Sequence, residues 1–225
     1  MKAEYIEHMG SDISVVNSAR VSFDKQSEFE YSAYESCHVI TSLNEKDVKL
    51  IRYLASHNHW TPFSHPQITV RETVPIFVAR QRFKHMVGFT YNEVSRRYVD
   101  DAPSFYAPIE WRSRPDKSIK QGSGGTHPEN LKYRKWYEEF ISQAELLYNT
   151  MIAQGVAPEQ ARMVLPQSMY TSYYVTGSLA AWARAYSQRI DVKGGAQVEI
   201  AELASIWDKI IQPLFPVSWE HLTRK

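Results

Sequence analysis

The chain has 225 residues, of which 43% are hydrophobic and 23% charged, and its 26 basic and 25 acidic side chains leave a net charge of +1. This length and balance predict one globular domain, residues 1–225, with a substantial core. They exclude a disordered chain and a protein that coats nucleic acid, which would be far more basic.

Cysteine and histidine usage argues against several kinds of site. Cys37 is the only cysteine, so neither a disulfide framework nor a thiolate metal site is expected. The eight histidines lack zinc-ligand spacings, and no Gly-x-Gly-x-x-Gly follows a predicted strand, so no metal centre and no Rossmann fold are predicted. No apolar run is long enough to span a membrane, and residues 1–5 lack a signal-peptide core. We therefore expect a cytoplasmic protein without a membrane or nucleic-acid partner.

The first third of the chain predicts short strands and amphipathic helices. Residues 4–8 predict a strand, and Asp12 is the expected N-cap of a helix through residue 21. Residues 25–36 predict a loop or an irregular helix. Asn44 is the expected N-cap of a second helix that ends near residue 57. Residues 66–74 alternate apolar and polar side chains and predict a strand, with Glu72 as the exception.

Pro75 begins the helix around which the chain is organised, and Gly88 is expected to end it. The apolar stripe of this helix consists of Ile76, Ala79, Phe83 and Met86. A separate polar face consists of Gln81, Lys84 and His85. Residues 92–97 follow as an extended loop rich in polar side chains. A basic helix end that leads into such a loop is suited to hold phosphate, and the alternative is a solvated helix face with a charged surface loop.

The second half of the chain predicts a long loop, one strand and several helices. Residues 100–125 predict either a phosphate-binding loop or a flexible excursion or lid. A capping-box pattern at residues 126–129 opens the longest helix, which ends at Gly155. Its apolar side is expected to be core or subunit interface and consists of Tyr133, Trp136, Tyr137, Phe140, Ala144, Leu147 and Met151. A helical turn at 159–165, a strand at 169–175 and helices at 177–189 and 197–211 follow. This order predicts an α+β fold, a mostly antiparallel sheet flanked by helices.

Several segments match one known family in the same order. Residues 59–65 read His-Trp-Thr-Pro-Phe-Ser-His, and residues 84–86 read Lys-His-Met with Ser95 downstream. Residues 75–81, 161–166, 189–191 and 195–200 provide further blocks. Together they resemble the flavin-dependent thymidylate synthases, whose signature is an Arg-His-Arg triplet followed seven or eight residues later by Ser. Lys84 and Met86 depart from that triplet.

The resemblance implies an activity and an assembly. The activity is reductive methylation of dUMP to dTMP, with methylenetetrahydrofolate as carbon donor and NADPH-reduced FAD as hydride donor. The assembly is a homotetramer with active sites between subunits. The family uses no cysteine nucleophile, so Cys37 receives no catalytic role. Arg189 is the expected catalytic residue, because a guanidinium polarises a pyrimidine carbonyl. The alternative for Arg189 is a helix-end residue that complements the helix dipole beside Asp191.

The resemblance also assigns binding residues. For dUMP they are Gln81, Lys84, Glu93, Ser95, Arg96, Arg97, Arg162 and Arg189. For FAD they are His59, Thr61, Lys84, His85, Met86, Glu93, Ser178 and Arg184. Because Met86 has no charge, we expect Arg82 or Arg96 to supply the missing positive charge to the flavin diphosphate. Two other functions stay open: a non-catalytic nucleotide- or RNA-binding module, and a flavin-binding NADPH oxidase that has lost methyl transfer.

Overall fold

A computed structural model of the chain describes residues 1–35, 38–99, 101–118 and 122–224. Cys37 and part of the predicted 100–125 loop lie outside the described residues. The strands of the described part are β1 (Lys2–Met9), β2 (Glu30–Glu35), β3 (His38–Ser42), β4 (Gln67–Pro75), β5 (Phe89–Glu93) and β6 (Tyr170–Ser178). Strands β1, β4, β6 and β5 form an antiparallel sheet in that order, and β2 pairs with β3 as a separate hairpin.

The helices of the described part are α1 (Asp12–Arg20), α2 (Glu45–Ser56), α3 (Ile76–Arg82), α4 (Asn130–Ala153), α5 (Pro158–Ala161), α6 (Leu179–Arg189), α7 (Val198–Ile211) and α8 (Pro216–Thr223). Short 3₁₀ helices lie at Val21–Phe23, Pro62–Ser64 and Arg162–Val164. The core contains Trp182, Trp207 and Trp219 with the apolar faces of β4, β6, α1, α2, α6 and α7. This architecture confirms the predicted α+β class. None of the described helices combines the length and apolarity that a membrane crossing requires.

Strands β4 and β6 each lead directly into a helix. Pro75 ends β4 and precedes α3, where its missing N–H is not needed. Ser178 ends β6 and caps α6 by accepting a hydrogen bond from the Ala181 N–H at 3.3 Å. In the antiparallel register, Pro75 pairs with Tyr170 and Gln67 pairs with Ser178, so α3 and α6 begin at opposite ends of the sheet. The chain after α3 returns to the start of α6, where the Gly88 carbonyl accepts from the Ser178 N–H at 3.1 Å.

Most predicted elements are confirmed, but the region after α3 differs from the prediction. Helix α3 ends at Arg82 rather than at Gly88. Met86 therefore lies outside the helix with 73% of its surface exposed, and its place on the apolar stripe is wrong. Residues 89–93 form β5, so the predicted extended loop at 92–97 begins two residues later, at Val94.

Three other local predictions are wrong. Residues 25–36 include a strand, β2. The N-cap of α1 is Ser11, whereas the buried Asp12 carboxylate accepts from two backbone N–H groups at the start of α8, both at 2.9 Å. Helix α4 begins at Asn130, and no capping box forms, because the Thr126 hydroxyl donates to the Glu110 carboxylate instead.

The apolar side of α4 is largely not core. Ala144 is buried, but Trp136, Phe140 and Leu147 expose 55%, 52% and 49% of their surfaces. Tyr148, which was not in the predicted stripe, is completely buried. The apolar side of α4 was predicted to be either core or subunit interface. Its exposure argues against core, and the subunit interface stays a prediction.

Candidate active site

A cavity of about 620 Å³ lies between the end of α2, the Pro62–Ser64 turn and α6. Three of the predicted flavin-binding residues line it, namely His59, Ser178 and Arg184. The wall contributed by α6 is built from small side chains, Ala180, Ala181 and Ala183. Trp60 lines the same cavity and exposes 63% of its surface. The cavity thus combines apolar walls with hydrogen-bonding groups, a planar ring and a cation.

The segment after α3 forms one wall of this cavity through Val87 and Gly88. Gly88 has a φ of +80°, and a Cβ there would lie 2.9 Å from the Ala181 Cβ, so only glycine fits. The Arg184 guanidinium donates to the Val87 carbonyl at 2.7 Å. Hydrogen bonds therefore hold this segment to Arg184 on α6 and to Ser178, the N-cap of α6. Met86 and Lys84, which stand at the altered positions of the family triplet, are both exposed.

His85 lies in this segment and contacts Arg189, the last residue of α6. The Arg189 Nε donates to the His85 Nε2 at 2.9 Å, and only 5% of His85 is exposed. Burial is the main cause that lowers the pKa of His85 to about 4, and the positive charges of Arg189, Arg82 and Arg184 lower it further. The imidazole is therefore neutral at neutral pH and can accept this hydrogen bond.

The environment of Arg189 differs from that of an ordinary helix-end arginine. Burial lowers the pKa of its guanidinium. No ion pair joins Arg189 to Asp191 among the described residues, and Asp191 instead accepts from the Gly194 N–H at 2.9 Å. The contact with His85 engages only Nε, so the terminal nitrogens of Arg189 are available for a ligand.

Arg82 lies in the core and not in the cavity. It is fully buried and pairs with Glu72, with 3.2 Å between Nε and the carboxylate oxygen. Its guanidinium carbon lies 4.3 Å from the centre of the Phe89 ring and 4.7 Å from that of Trp182. The prediction that Arg82 neutralises a flavin diphosphate is therefore wrong, because a bound phosphate cannot reach it.

Three of the eight predicted nucleotide-binding residues form a second group, which we call the basic patch: Arg96, Arg97 and Arg162. The Arg97 Nε lies 3.8 Å from the Glu159 carboxylate, and the Arg162 Nε donates to the Glu159 carbonyl at 3.3 Å. Arg96 lies 6.0 Å from the centre of the Tyr148 ring and donates to the Asp101 carbonyl. Arg97 and Arg162 are exposed, so the patch offers its cations to solvent.

The remaining predicted residues lie around the basic patch, on α3 or near the cavity. The Ser95 hydroxyl accepts from the Arg97 N–H at 3.3 Å, and Glu93 accepts from the Thr171 hydroxyl at 2.6 Å. The Gln81 amide donates to the Gln197 amide oxygen at 2.5 Å, beside a second cavity of about 350 Å³. Thr61 is exposed and its carbonyl accepts from the Ser64 N–H at 3.0 Å in the 3₁₀ turn beside the first cavity.

Strand β5 separates the two groups. Phe89, next to the cavity segment, pairs with Gly177, and Glu93, next to the basic patch, pairs with Tyr173. Four residue steps along a strand span roughly 13 Å. Within the described part of one chain, no hydrogen bond or ion pair joins the basic patch to the cavity, so the predicted residues do not form one pocket.

Sequence reasoning missed several residues of these groups. Trp60 and Gln197 lie inside the family segments but received no role. Glu159, which orders the basic patch, has no sequence signal beyond its distance from Arg162. Tyr91, whose hydroxyl donates to the His85 carbonyl, was missed because residues 89–93 were not recognised as a strand. The alternation of Phe89 and Tyr91 with polar residues after Gly88 was the signal for it.

The cavity fits a planar, phosphate-bearing cofactor such as a flavin. Its alanine wall and the Trp60 ring suit a planar ring, and Ser178 and Arg184 supply a donor and a charge for polar groups. No group of three or more potential metal ligands occurs among the described residues.

Comparisons with known proteins define the class and then the family. The structure resembles the UMP/dUMP methylase PolB from Streptomyces cacaoi bound with 5-Br dUMP, at a TM-score of 0.81 and 28% identity, over 98% of this chain and 93% of that one. The class is therefore that of enzymes that share the α+β fold of this methylase. A family model described as thymidylate synthase complementing protein matches residues 4–217.

Curated relatives agree with the family model. The flavin-dependent thymidylate synthase of Kosmotoga olearia is 35% identical over 217 residues, which cover 96% of this chain and 86% of the relative. That of Thermosipho africanus is 34% identical over 217 residues, covering 96% and 87%. The chain belongs to the flavin-dependent thymidylate synthase family.

Proposed function

We propose that this chain converts dUMP to dTMP, with methylenetetrahydrofolate as carbon donor and NADPH-reduced FAD as hydride donor, and without a cysteine nucleophile. The observation that carries the proposal is the partly buried guanidinium of Arg189, held by a neutral His85 at the end of the helix that lines the 620 Å³ cavity. Family membership and the nucleotide analogue bound to the neighbouring methylase support it.

Arg189 is the proposed catalytic residue. The C5 carbon of uracil is a poor nucleophile, and it becomes electron-rich when a donor stabilises negative charge on the ring carbonyls. The terminal nitrogens of Arg189 form charge-assisted hydrogen bonds to those carbonyls, and partial burial strengthens them. This role needs no thiolate addition to the ring.

The basic patch is the proposed phosphate site of dUMP. Arg97 and Arg162 supply two guanidinium groups, and Ser95 and Lys84 supply further donors. Glu159 compensates part of this charge when the nucleotide is absent. Glu93 accepts from a sugar hydroxyl, because its charge would repel a phosphate, and the Gln81 amide completes the nucleotide contacts.

The 620 Å³ cavity is the proposed flavin site. FAD, when bound and reduced, supplies the hydride. His59, Thr61, Ser178 and Arg184 bind its polar groups, and His85, Met86, Lys84 and Glu93 are further proposed contacts. Arg96 remains the candidate for the diphosphate charge that Met86 lacks. The alanine wall of α6 packs against the cofactor and limits access of water.

A second copy of the chain completes each proposed site. The basic patch and the cavity lie at opposite ends of β5, and this separation supports a site built from residues of two chains. The exposed side of α4 offers apolar surface for such an assembly. We propose a homotetramer with active sites between subunits, which light scattering on the purified protein tests directly.

The proposed function is tested by product analysis. Purified protein is first examined for flavin absorbance and then incubated without oxygen with dUMP, methylenetetrahydrofolate and NADPH. We expect a yellow protein and dTMP that disappears when any one substrate is omitted. A colourless protein that binds dUMP without turnover would favour the nucleotide- or RNA-binding module. A yellow protein that oxidises NADPH in air but forms no dTMP would favour the oxidase.

A further inference from the structure

We propose that His85 and Tyr91 are positioning residues for Arg189, which they hold in place through a chain of contacts that begins in the hydrophobic core. The proposal rests on the proposed function of Arg189 and deepens it. It gives His85 a role toward another side chain rather than toward the flavin alone.

The first contact is the hydrogen bond from the Arg189 Nε to the His85 Nε2, at 2.9 Å. The imidazole can accept only when Nε2 carries no proton, so the ring is neutral with its proton on Nδ1. Engaging Nε fixes the plane of the guanidinium, and its terminal nitrogens have no hydrogen-bond partner among the described residues. A guanidinium held in this way needs little reorganisation when it meets a ligand carbonyl.

The second contact fixes the position of His85. The Tyr91 hydroxyl donates to the His85 carbonyl at 2.7 Å and accepts from Arg82 Nη1, also at 2.7 Å. Tyr91 lies on β5, which is paired with β6, so its ring is held by the sheet. The ring also packs against Phe83, with 5.0 Å between ring centres. His85 is therefore tied to the sheet although it lies in a segment without regular secondary structure.

The third contact makes the anchor rigid. Arg82 is fully buried, and its partner Glu72 also accepts from the Trp207 indole at 2.9 Å and from the Tyr173 hydroxyl at 2.5 Å. A buried charged network with this many partners cannot rearrange without leaving charges unpaired. The chain of contacts thus runs from the core through Tyr91 and His85 to Arg189.

The charges around His85 support the same arrangement. The groups that face it are Arg82 from α3, Arg184 and Arg189 from α6, and the Tyr91 hydroxyl from β5. Three guanidinium groups disfavour an imidazolium, so the ring remains an acceptor for Arg189 over the pH range in which the enzyme would work.

Variants with matched chemistry test the proposal. His85→Gln keeps an acceptor near the Nε2 position, whereas His85→Leu keeps the volume and removes the acceptor. Tyr91→Phe removes only the hydroxyl. Tyr186→Phe is the control, because Tyr186 is half-buried on α6 against Trp219 and its hydroxyl makes no hydrogen bond within the described residues. For each protein, the measurements are the flavin-to-protein ratio, the melting temperature, the dUMP dissociation constant and tritium release from C5-labelled dUMP.

We expect His85→Leu to bind dUMP about tenfold more weakly and to turn over about a hundredfold more slowly, with flavin retained. Tyr91→Phe loses turnover by about tenfold, His85→Gln recovers most of what His85→Leu loses, and Tyr186→Phe matches the wild type. Turnover of His85→Leu within twofold of wild type overturns the proposal. The proposal is also overturned if the turnover of every variant falls only in proportion to its flavin content, since His85 would then act on the cofactor.

The test also covers a His85→Leu protein that does not fold and a wild type that is inactive. If His85→Leu does not fold, Tyr91→Phe and His85→Gln decide: wild-type turnover in Tyr91→Phe, or no turnover in a folded His85→Gln, overturns the proposal. If the wild type itself releases no tritium, the proposed function of the chain fails, and the dUMP dissociation constants alone then decide the positioning role.

Discussion

Glu72 and Arg82 form an ion pair that is completely buried, with 3.2 Å between the Arg82 Nε and the carboxylate. Burying two charges is unfavourable unless their remaining hydrogen-bonding groups are satisfied. The indole of Trp207 and the hydroxyl of Tyr173 satisfy Glu72, and Tyr91 binds Nη1 of Arg82. Nη2 of Arg82 is buried without a partner among the described residues. The pair joins β4 to the end of α3 and so determines where the chain enters the proposed active site.

Breaking this pair is expected to destabilise the fold strongly. Glu72→Gln keeps the shape but leaves the Arg82 charge buried without its partner, so the free energy of unfolding falls by about 3 kcal/mol or more. Urea denaturation measures the change. The control is Glu45→Gln, which breaks an exposed ion pair with Lys49 and is expected to change stability by less than about 0.5 kcal/mol. Equal effects of the two substitutions would contradict the assigned role of the network.

Gly88→Ala is expected to reduce both stability and flavin content. Its positive φ alone costs about 1 kcal/mol for alanine, and the added Cβ must also displace Ala181 from 2.9 Å. Gly155→Ala is the matched control, because Gly155 has a φ of +82° with nothing within 4 Å of an added Cβ. Melting temperature and flavin absorbance distinguish the two. A Gly88→Ala protein with full flavin content would show that this segment does not border the cofactor.

The stability of the protein is expected to depend on His85 below neutral pH. The folded state lowers its pKa from 6.5 to about 4, so between these values the unfolded chain binds a proton that the folded chain does not. Stability therefore rises with pH through this window, is fully present above pH 6.5 and is lost as the pH falls toward 4.

The size of this effect is up to about 3 kcal/mol. Glutamine does not titrate, so urea denaturation of the wild type and of His85→Gln from pH 7.5 to 4.5 isolates the contribution of position 85. The wild type is expected to lose more stability than the variant as the pH falls. Parallel pH profiles would show that His85 is not held neutral by its surroundings.

The basic patch is expected to control nucleotide affinity without affecting the cofactor. Arg97→Ala removes one charge-assisted contact to the dUMP phosphate, so the dissociation constant rises about tenfold or more. Titration calorimetry measures it at two salt concentrations, and the loss should shrink at high salt. Arg134→Ala, which removes an exposed arginine paired with Glu138, should bind dUMP like the wild type. Unchanged affinity in Arg97→Ala would place the phosphate elsewhere.

Much of the fold was predictable, because the strands and helices of the core carry clear apolar periodicity. Glu72 breaks the alternation of apolar and polar residues in β4 because its buried carboxylate pairs with Arg82. The sequence could not identify Arg82 as the partner, since it does not show which face of α3 meets the sheet. Strand β5 was missed because its five residues are stabilised by pairing with β6, about eighty residues away in sequence.

The candidate site was predictable as two lists of residues but not as an arrangement. The motif around His59 and the start of α6 predicted three residues, His59, Ser178 and Arg184, that line one cavity. Their binding of flavin stays a prediction. No pattern in the sequence indicated that β5 separates this cavity from the basic patch. The sequence also assigned His85 to the flavin, which stays a prediction, whereas its contact with Arg189 joins residues 104 positions apart.

Tritium release from C5-labelled dUMP tests most directly whether a guanidinium, rather than a thiol, activates the pyrimidine. The measurement compares the wild type with Arg189→Lys, which keeps a charge but loses the planar donor pair, and with Cys37→Ala. We expect Arg189→Lys to release tritium about a hundredfold more slowly with its flavin retained, and Cys37→Ala to match the wild type. Full activity in Arg189→Lys, or loss of activity in Cys37→Ala, would contradict the account.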